Sequence, residues 1–203
     1  MKVNYKKIAF ISTFLFVFLL VFWFFYLYQK KASFGDVPVL SDSEISRLES
    51  QNEDLKPYFE HLKEVYKKFK RDDPTYYADL GLAYKSLGDQ TNDKKYYQYA
   101  LDVYKSAIDL TKRKNVVFLL NAGNMELYLG NYDGARKYYE EATYVAPGDI
   151  DGYQKLIELH IYYLKSPKDE ILKIFDRGIE RMVDPAPLKK WRDAYVKSID
   201  SKD

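Results

Sequence analysis

The sequence predicts an all-α protein in which an N-terminal transmembrane helix is followed by a short solenoid of repeated helix pairs. Three observations predict this fold class. Residues 8–28 are apolar and uncharged, residues 115–149 have the pattern of two helices packed back to back, and residues 74–115 repeat that pattern. No Val/Ile-rich alternating stretch suggests a strand. We therefore expect the part of the chain after the linker to consist of helices.

The clearest helix pair lies in residues 115–149. Its first helix ends at Gly130, and its second begins after Asn131 and ends near Pro147. Small residues are expected where the two helices approach closely, with bulky tyrosines filling the space around them. The apolar residues of the first helix are Val117, Leu120, Leu127 and Leu129; the small residues are Gly123, Ala135 and Ala142; the tyrosines are Tyr132 and Tyr139.

This spacing of glycine, tyrosine, alanine and proline resembles the tetratricopeptide repeat, a helix–turn–helix unit of about 34 residues. Residues 74–115 share the resemblance, because Leu80 to Asp89 reads LGLAYKSLGD, close to the first helix and turn of that family. Ala100, Tyr104 and Ala107 reproduce the small–large–small spacing of the second helix. The interval between Gly88 and Ala100 is longer than in the central unit, and we attribute it to a longer turn at residues 90–93.

A third, degenerate unit follows. Its first helix is predicted at residues 150–164, its turn at Ser166-Pro167 and its second helix at residues 168–182. Ile157 stands where the central unit has Gly123, so the resemblance is weaker here. A single repeat cannot bury its apolar face alone, and three units with flanking helices satisfy this requirement. A final helix at residues 186–199 is predicted to cap the last repeat.

The resemblance implies a concave groove, lined by the first helices of successive repeats, that takes peptides or extended segments of a partner. The amides and the lysine in it can hydrogen-bond a backbone or a terminal carboxylate. Ala78, Leu82 and Asp151 occupy positions where the chaperone-binding subgroup has basic and amide residues, which disfavours that ligand class. The candidate groove residues are Asn121, Asn124, Tyr128, Gln154, Lys155, Glu158 and Tyr162, with Ala78, Leu82, Lys85, Val117 and Leu120 beside them.

Residues 8–28 would form a helix about 31 Å long, which matches a hydrocarbon core of roughly 30 Å. Lysines flank both ends, and Trp23, Tyr26 and Tyr28 cluster near the second end as in an aromatic belt. A cleaved signal peptide is the alternative, but its apolar region would be shorter and followed by a small-x-small site. The predicted organisation is a short N-terminal tail (1–7), a transmembrane helix (8–28), a linker (29–40), N-terminal flanking helices (41–73), repeats (74–185), and a C-terminal capping helix and tail (186–203).

Charge around the apolar segment predicts its orientation. Lys2, Lys6 and Lys7 precede it without any acid, whereas Lys30 and Lys31 are followed by several acids. The positive-inside rule therefore favours a cytoplasmic N-terminus and a C-terminal domain on the other side of a single-pass membrane protein.

Residue types exclude several classes of function. The chain has 2 histidines and 0 cysteines among 203 residues, and neither His61 nor His160 belongs to a metal-ligand or catalytic motif. We therefore expect no enzyme activity, no cofactor, no metal and no small-molecule substrate. Basic and acidic residues alternate at a net charge of +2, so nucleic-acid binding is not expected either.

The remaining function is protein binding near a membrane. We expect a membrane-tethered interaction scaffold or adaptor for an envelope complex, with protein or peptide segments as partners and residues 8–28 in contact with lipid. Two alternatives stay open: a stoichiometric structural subunit and a regulatory subunit of a membrane complex. An enzyme is the least favoured interpretation.

Overall fold

The computed structural model describes residues 37–200, and every regular element in that range is a helix. The N-terminal tail, the transmembrane helix predicted at Ile8–Tyr28 and residues 29–36 of the predicted linker lie outside the described residues. Within 37–200, no helix is long and apolar enough to cross a membrane.

The described helices follow one another as packed neighbours, and each contacts mainly the helix before and after it. This is the arrangement of a helical solenoid. A short 3₁₀ turn at Glu53–Leu55 precedes α2, and α7 continues into a π-helical segment at Leu159–Leu164. The α-helices are α1 Asp42–Gln51, α2 Lys56–Lys68, α3 Pro74–Thr91, α4 Lys94–Leu110, α5 Val116–Leu129, α6 Tyr132–Val145, α7 Ile150–Glu158, α8 Lys168–Arg181 and α9 Ala186–Asp200.

Short polar side chains determine where these helices begin. The Asp73, Asn115 and Asp149 side chains each accept a hydrogen bond from the backbone N–H two residues further on, at 3.0 Å in all three cases. Such a cap satisfies one of the N–H groups that a helix leaves free, and contributes about 1 kcal/mol. The Asn131 side chain caps α6 by accepting from the N–H of Gly134, three residues further on (3.2 Å), which confirms the predicted start of that helix.

Glycine on the first helix allows each of the two clear repeats to pack closely. A Cβ at Gly81 would overlap the ring of Tyr104, and a Cβ at Gly123 would overlap the ring of Tyr139. Both tyrosines are buried, as are Ala100, Ala107, Ala135 and Ala142. The small–large spacing predicted from the sequence is therefore confirmed in both units.

The predicted longer turn between α3 and α4 is wrong. Helix α3 continues past Gly88 to Thr91, and only Asn92, in a left-handed conformation, and Asp93 separate it from α4. Helices α3 and α4 have 18 and 17 residues, compared with 14 in each of α5 and α6. The extra residues amount to about one helical turn in each of the two helices. Adding whole turns keeps the same sides of both helices in contact, so the insertion lengthens the helices instead of the loop.

Tyr132, which was predicted to fill space between the helices of the central unit, lies on the surface instead, where its ring centroid is 5.5 Å from that of Tyr163. Val117, an apolar residue of α5 that is also a groove candidate, is 53% exposed. The buried side of α5 is formed by Phe118, Leu119, Ala122 and Met125. The apolar periodicity of α5 is ambiguous because apolar residues occur around most of its circumference.

Residues 37–40 pack against the solenoid, although the sequence assigns them to the linker. Val37 and Leu40 are buried, and a chain of hydrogen bonds fixes the segment. The Leu40 N–H donates to Tyr66 Oη (3.0 Å), the Tyr66 and Tyr84 hydroxyls are 2.5 Å apart, and Tyr84 Oη donates to the Pro38 carbonyl (2.7 Å). Two tyrosines from α2 and α3 therefore hold this segment on the first repeat.

The flanking helices cover the two ends of the repeats, as predicted. Phe59, Leu62 and Val65 of α2 are buried in the same core as the first repeat. At the other end, Leu188 is buried in the core of the third unit, and two aromatic side chains of α9 pack against Phe175 of α8. The ring of Phe175 lies 5.2 Å from Trp191 and 5.8 Å from Tyr195, measured between ring centroids.

Candidate functional site

The candidate groove residues form stripes on the first helices of the repeats. On α5, Asn121, Asn124 and Tyr128 recur at intervals of three and four residues, which places them on one side of the helix. Gln154 and Glu158 of α7 recur in the same way, and Leu82 and Lys85 belong to α3. Leu82, Val117, Tyr128 and Tyr162 are all exposed large side chains.

The hydroxyl of Tyr139 on α6 binds a candidate residue of α5. It donates a hydrogen bond to Asn124 Oδ1 (2.8 Å) from a side chain that is otherwise buried. Burial raises the pKa of this hydroxyl, and the nearby Tyr128, Glu158 and Tyr163 raise the pKa further. The hydroxyl thus lies close to candidate residues of α5 and α7. The carbonyl of Asn124 is engaged by the fold, which leaves its amide nitrogen to donate to a ligand.

The polar residues of α7 bind one another. Gln154 Nε2 donates to Glu158 Oε1 (2.9 Å), and Lys155 Nζ donates to Glu158 Oε2 (3.1 Å). Both carboxylate oxygens of Glu158 are therefore occupied by neighbours on the same helix. A ligand carboxylate that approaches Lys155 must compete with Glu158 for the ammonium group.

Helices α3, α4 and α5 meet around Tyr128. The Lys85 ammonium group lies 5.6 Å from the centroid of the Tyr128 ring and forms an ion pair with Asp89 (2.5 Å). The ring of Tyr97 lies 5.1 Å from that of Tyr128, and Tyr97 Oη donates to Asp89 Oδ1 (3.1 Å). Burial, followed by Asp89, raises the pKa of Tyr97 to about 12. The structure therefore joins the groove stripes of the first two repeats through an aromatic and ionic contact.

The sequence did not identify Tyr163 as part of this surface. Tyr162 and Tyr163 are adjacent in sequence and both exposed, within the π-helical segment at Leu159–Leu164. A π-helical turn adds about one residue and changes which side chains face outward. Nothing in the hydrophobic spacing signals such a turn, so regular helical periodicity did not predict the Tyr132–Tyr163 contact.

The two histidines lie in different environments. Among residues 37–200 there is no group of three or more histidine, aspartate or glutamate side chains arranged to hold a metal ion. His61 is exposed, whereas His160 is buried, with Nδ1 2.9 Å from Ser166 Oγ. Burial lowers the pKa of His160, while the nearby Glu170 opposes that shift. His160 therefore belongs to the interior of the third unit.

The helix pairs α3–α4 and α5–α6 correspond to a known repeat. The family model described as tetratricopeptide repeat matches residues 74–110 and 117–149. A comparison with curated proteins finds no match.

Two solved structures share the fold of this chain. A thermophilic TPR protein of Thermus thermophilus, TTC0263, is 21% identical with a TM-score of 0.54, over 74% of this chain and 77% of the other. MamA is 20% identical with a TM-score of 0.51, over 68% of this chain and 77% of the other. Two helix pairs of the chain thus match the tetratricopeptide repeat, and the chain has an α-helical solenoid fold.

Proposed function

We propose that this chain is a membrane-tethered scaffold whose groove, lined by α3, α5 and α7, binds extended segments of membrane-associated proteins. Tetratricopeptide repeats form protein–protein interaction scaffolds, and this chain contains two of them. The observation that supports the groove most directly is the set of exposed aromatic and aliphatic side chains, with half-buried amides beside them, in consecutive units.

The chemistry of the groove suits an extended peptide. Tyr128 and Tyr162 offer large, partly rigid apolar surfaces, and aromatic side chains of this kind often dominate binding energy at interfaces. Asn121 and the free amide nitrogen of Asn124 offer hydrogen bonds to a backbone that has no helix or sheet of its own. Lys155 is already paired with Glu158. We therefore expect a terminal carboxylate of the partner to contribute less to the binding free energy than contacts with the aromatic side chains.

The membrane tether is part of the proposal and rests on the sequence. The uncharged segment Ile8–Tyr28 has the length of a bilayer span, with lysines at both ends. The excess of lysines before this segment favours a cytoplasmic N-terminus and a solenoid on the opposite side of the membrane. A tether of this kind confines the groove to the membrane surface and raises the effective concentration of membrane partners, in keeping with a role in an envelope complex.

Site-specific photo-crosslinking in native membranes tests the groove. A photoreactive amino acid at Asn121 or at Tyr162, which is 60% exposed, should crosslink to the same partner. The matched control is Tyr144 on α6, which is 62% exposed and lies outside the groove stripes. Equal crosslinking from Tyr144, or none from both groove positions, would contradict the groove.

A paired substitution then measures the contribution of the groove. We expect Asn121→Ala with Tyr162→Ala to weaken capture of the crosslinked partner, whereas Tyr144→Ala leaves it unchanged. Asn124→Ala is unsuitable, because it leaves the buried hydroxyl of Tyr139 without an acceptor and destabilises the fold. Copurification at a fixed ratio, resistant to exchange, would favour the stoichiometric-subunit alternative. A reporter fused after Asp203 that works only in the cytoplasm would overturn the proposed orientation.

A further inference from the structure

A cleft lies on the opposite side of α5 from Asn124 and Tyr128. It has a volume of about 420 Å³ and lies between α4, the α4–α5 turn, α5 and α6. Glu126 lies in this cleft and is two residues from both Asn124 and Tyr128, or about 200° around the helix axis. A third carboxylate of the lining, Asp133, is exposed and pairs with Arg136 (3.1 Å). The charged and amide residues that line the cleft are Lys105, Arg113, Glu126, Asn131, Asp133, Lys137 and Glu141.

Glu126 is a buried carboxylate without a cationic partner. It is 9% exposed, and Oε2 accepts a hydrogen bond from the neutral amide of Asn131 (2.8 Å). Within residues 37–200, no ammonium or guanidinium group lies within 4.0 Å of either oxygen. The start of α6 is close by, because a side chain added at Gly134 would collide with the Glu126 carboxyl group. A buried charge usually has an ionic partner, and this one has only an amide and a helix terminus.

The cations of the cleft divide into paired and unpaired groups. Arg113 binds Glu141 through two hydrogen bonds, Nε to Oε1 (2.6 Å) and a terminal nitrogen to Oε2 (2.5 Å), so these charges neutralise each other. Lys105 and Lys137 line the same cleft, and neither forms an ion pair in the described part of the chain. The cleft therefore offers one deep carboxylate and two ammonium groups that are free to pair with a ligand.

We propose that this cleft binds a basic amino acid that carries a free α-carboxylate, with arginine as the best fit. The guanidinium group pairs with Glu126, whose Oε1 accepts no hydrogen bond among the described residues, and the α-carboxylate pairs with Lys105 and Lys137. Arginine is favoured because its planar fork of donors matches a carboxylate. A free amino acid and the C-terminal residue of a polypeptide present the same chemistry. This site is separate from the proposed groove and does not depend on it.

Isothermal titration calorimetry on the full chain in detergent micelles tests the proposal with three probes. L-Arginine represents the free amino acid, Nα-acetyl-L-arginine a C-terminal residue, and agmatine an arginine without its carboxylate. We expect both carboxylate probes to bind at least about tenfold more tightly than agmatine, which corresponds to one charge-assisted contact. Tighter binding of L-arginine identifies the free amino acid, and tighter binding of Nα-acetyl-L-arginine identifies the chain terminus.

Substitutions in the cleft separate binding from folding. Glu126→Gln keeps the shape and removes the charge, so the affinity of both carboxylate probes should fall about tenfold or more, whereas exposed Glu180→Gln should have no effect. Lys105→Gln with Lys137→Gln changes one half-buried and one exposed side chain and should abolish the preference over agmatine, so it remains informative even if Glu126→Gln is unstable. The proposal is overturned if the carboxylate probes do not bind, if they bind Glu126→Gln as tightly, or if agmatine binds as tightly as L-arginine.

Discussion

The two matched repeats and the third helix pair use the same small–large contact in opposite directions. In α3–α4 and α5–α6 the first helix supplies glycine and the second supplies tyrosine. In α7–α8 the first helix supplies Tyr153 and the second supplies Gly178. The substitution of Ile157 for the glycine of the first helix therefore does not leave the third unit loosely packed, because the close approach has moved to another point of the helix pair.

Because its glycine lies on the second helix, the third unit depends on the helix that follows it. Gly178 faces both Tyr153 of α7 and Leu188 of α9, so the same small residue forms two interfaces. Phe175 on α8 likewise packs against two aromatic side chains of α9. In the matched repeats the corresponding glycines face only a tyrosine of their own unit. A repeat that lacks the usual pattern is thus completed by a neighbouring helix.

Leu188→Ala tests this dependence and should have the largest effect. The side chain is fully buried, so its truncation removes apolar contacts and leaves a cavity, at a cost of about 2–5 kcal/mol. Because repeats interact mainly with their neighbours, hydrogen exchange should show protection lost in α7–α9 and retained in α3–α4. Leu101→Ala, at an equally buried position of α4, is the control and should give the reverse pattern. Uniform loss of protection in both variants would show that the two regions unfold as one.

Alkaline pH should weaken the N-terminal half of the solenoid. Burial raises the pKa of Tyr104 to about 12, and burial raises the pKa of Tyr66 to about 12 as well. The folded protein thus holds these protons more tightly than the unfolded chain, in which tyrosine titrates near 10. The stabilisation is complete below about pH 10 and is lost as pH rises to about 12, by roughly 3 kcal/mol for Tyr104. Denaturant titrations at a series of pH values measure the slope, which Tyr104→Phe should reduce.

Gly123→Ala tests the close approach in the central repeat. The added Cβ would overlap the ring of Tyr139, which is buried and cannot move away, so we expect a loss of about 1–3 kcal/mol. Tyr139→Leu in the same chain provides space, so the double variant should be less destabilised than the sum of the single variants. Gly148→Ala is the control, because the nearest atom there is 3.7 Å away. If Gly123→Ala were as stable as Gly148→Ala, the glycine would not be required by the packing.

Acidic pH should weaken the third unit, with the smallest effect of the four. Burial lowers the pKa of His160, and Arg136 and Arg177 lower it further, while Glu170 and Glu140 act in the opposite direction. The unfolded chain therefore binds the proton more readily, so the stabilisation is complete above about pH 6.5 and is lost as pH falls below that value. His160→Gln should remove this pH dependence. Thermal unfolding of the wild type and of His160→Gln at pH 5 and pH 7.5 measures this dependence. If the variant lost as much stability between pH 7.5 and pH 5 as the wild type, His160 would be excluded as the source.

Much of the fold follows from local features of the sequence. Capping residues such as Asp73, Asn115 and Asn131 mark helix starts, and the spacing of small and large residues predicts which helices pair. Those signals work because they reflect interactions within a few residues along the chain. Of the candidate groove residues, Asn121, Asn124 and Tyr128 lie on one side of α5, whereas Tyr162 lies in the π-helical segment after α7. That these residues bind a partner stays a prediction.

The features that were not predicted depend on tertiary contacts. The hydrogen bond from Tyr139 to Asn124, the burial of Glu126 and the packing of Val37 on the first repeat involve the surroundings of each side chain. The extension of α3 beyond Gly88 depends on whole helical turns being added to two helices together. Hydrophobic spacing in one helix contains no information about such matched changes in its partner.

The packing of residues 37–40 sets a limit on how far the proposed scaffold can stand from the bilayer. If the span ends at Tyr28, only residues 29–36 are left to separate it from the segment that Tyr66 and Tyr84 hold in place. At 3.3–3.6 Å per residue, that stretch reaches at most about 29 Å even when fully extended, compared with about 43 Å for the whole predicted linker. The start of the solenoid would therefore lie within about 29 Å of the end of the proposed span. Partners would have to reach the solenoid within this distance of the membrane surface.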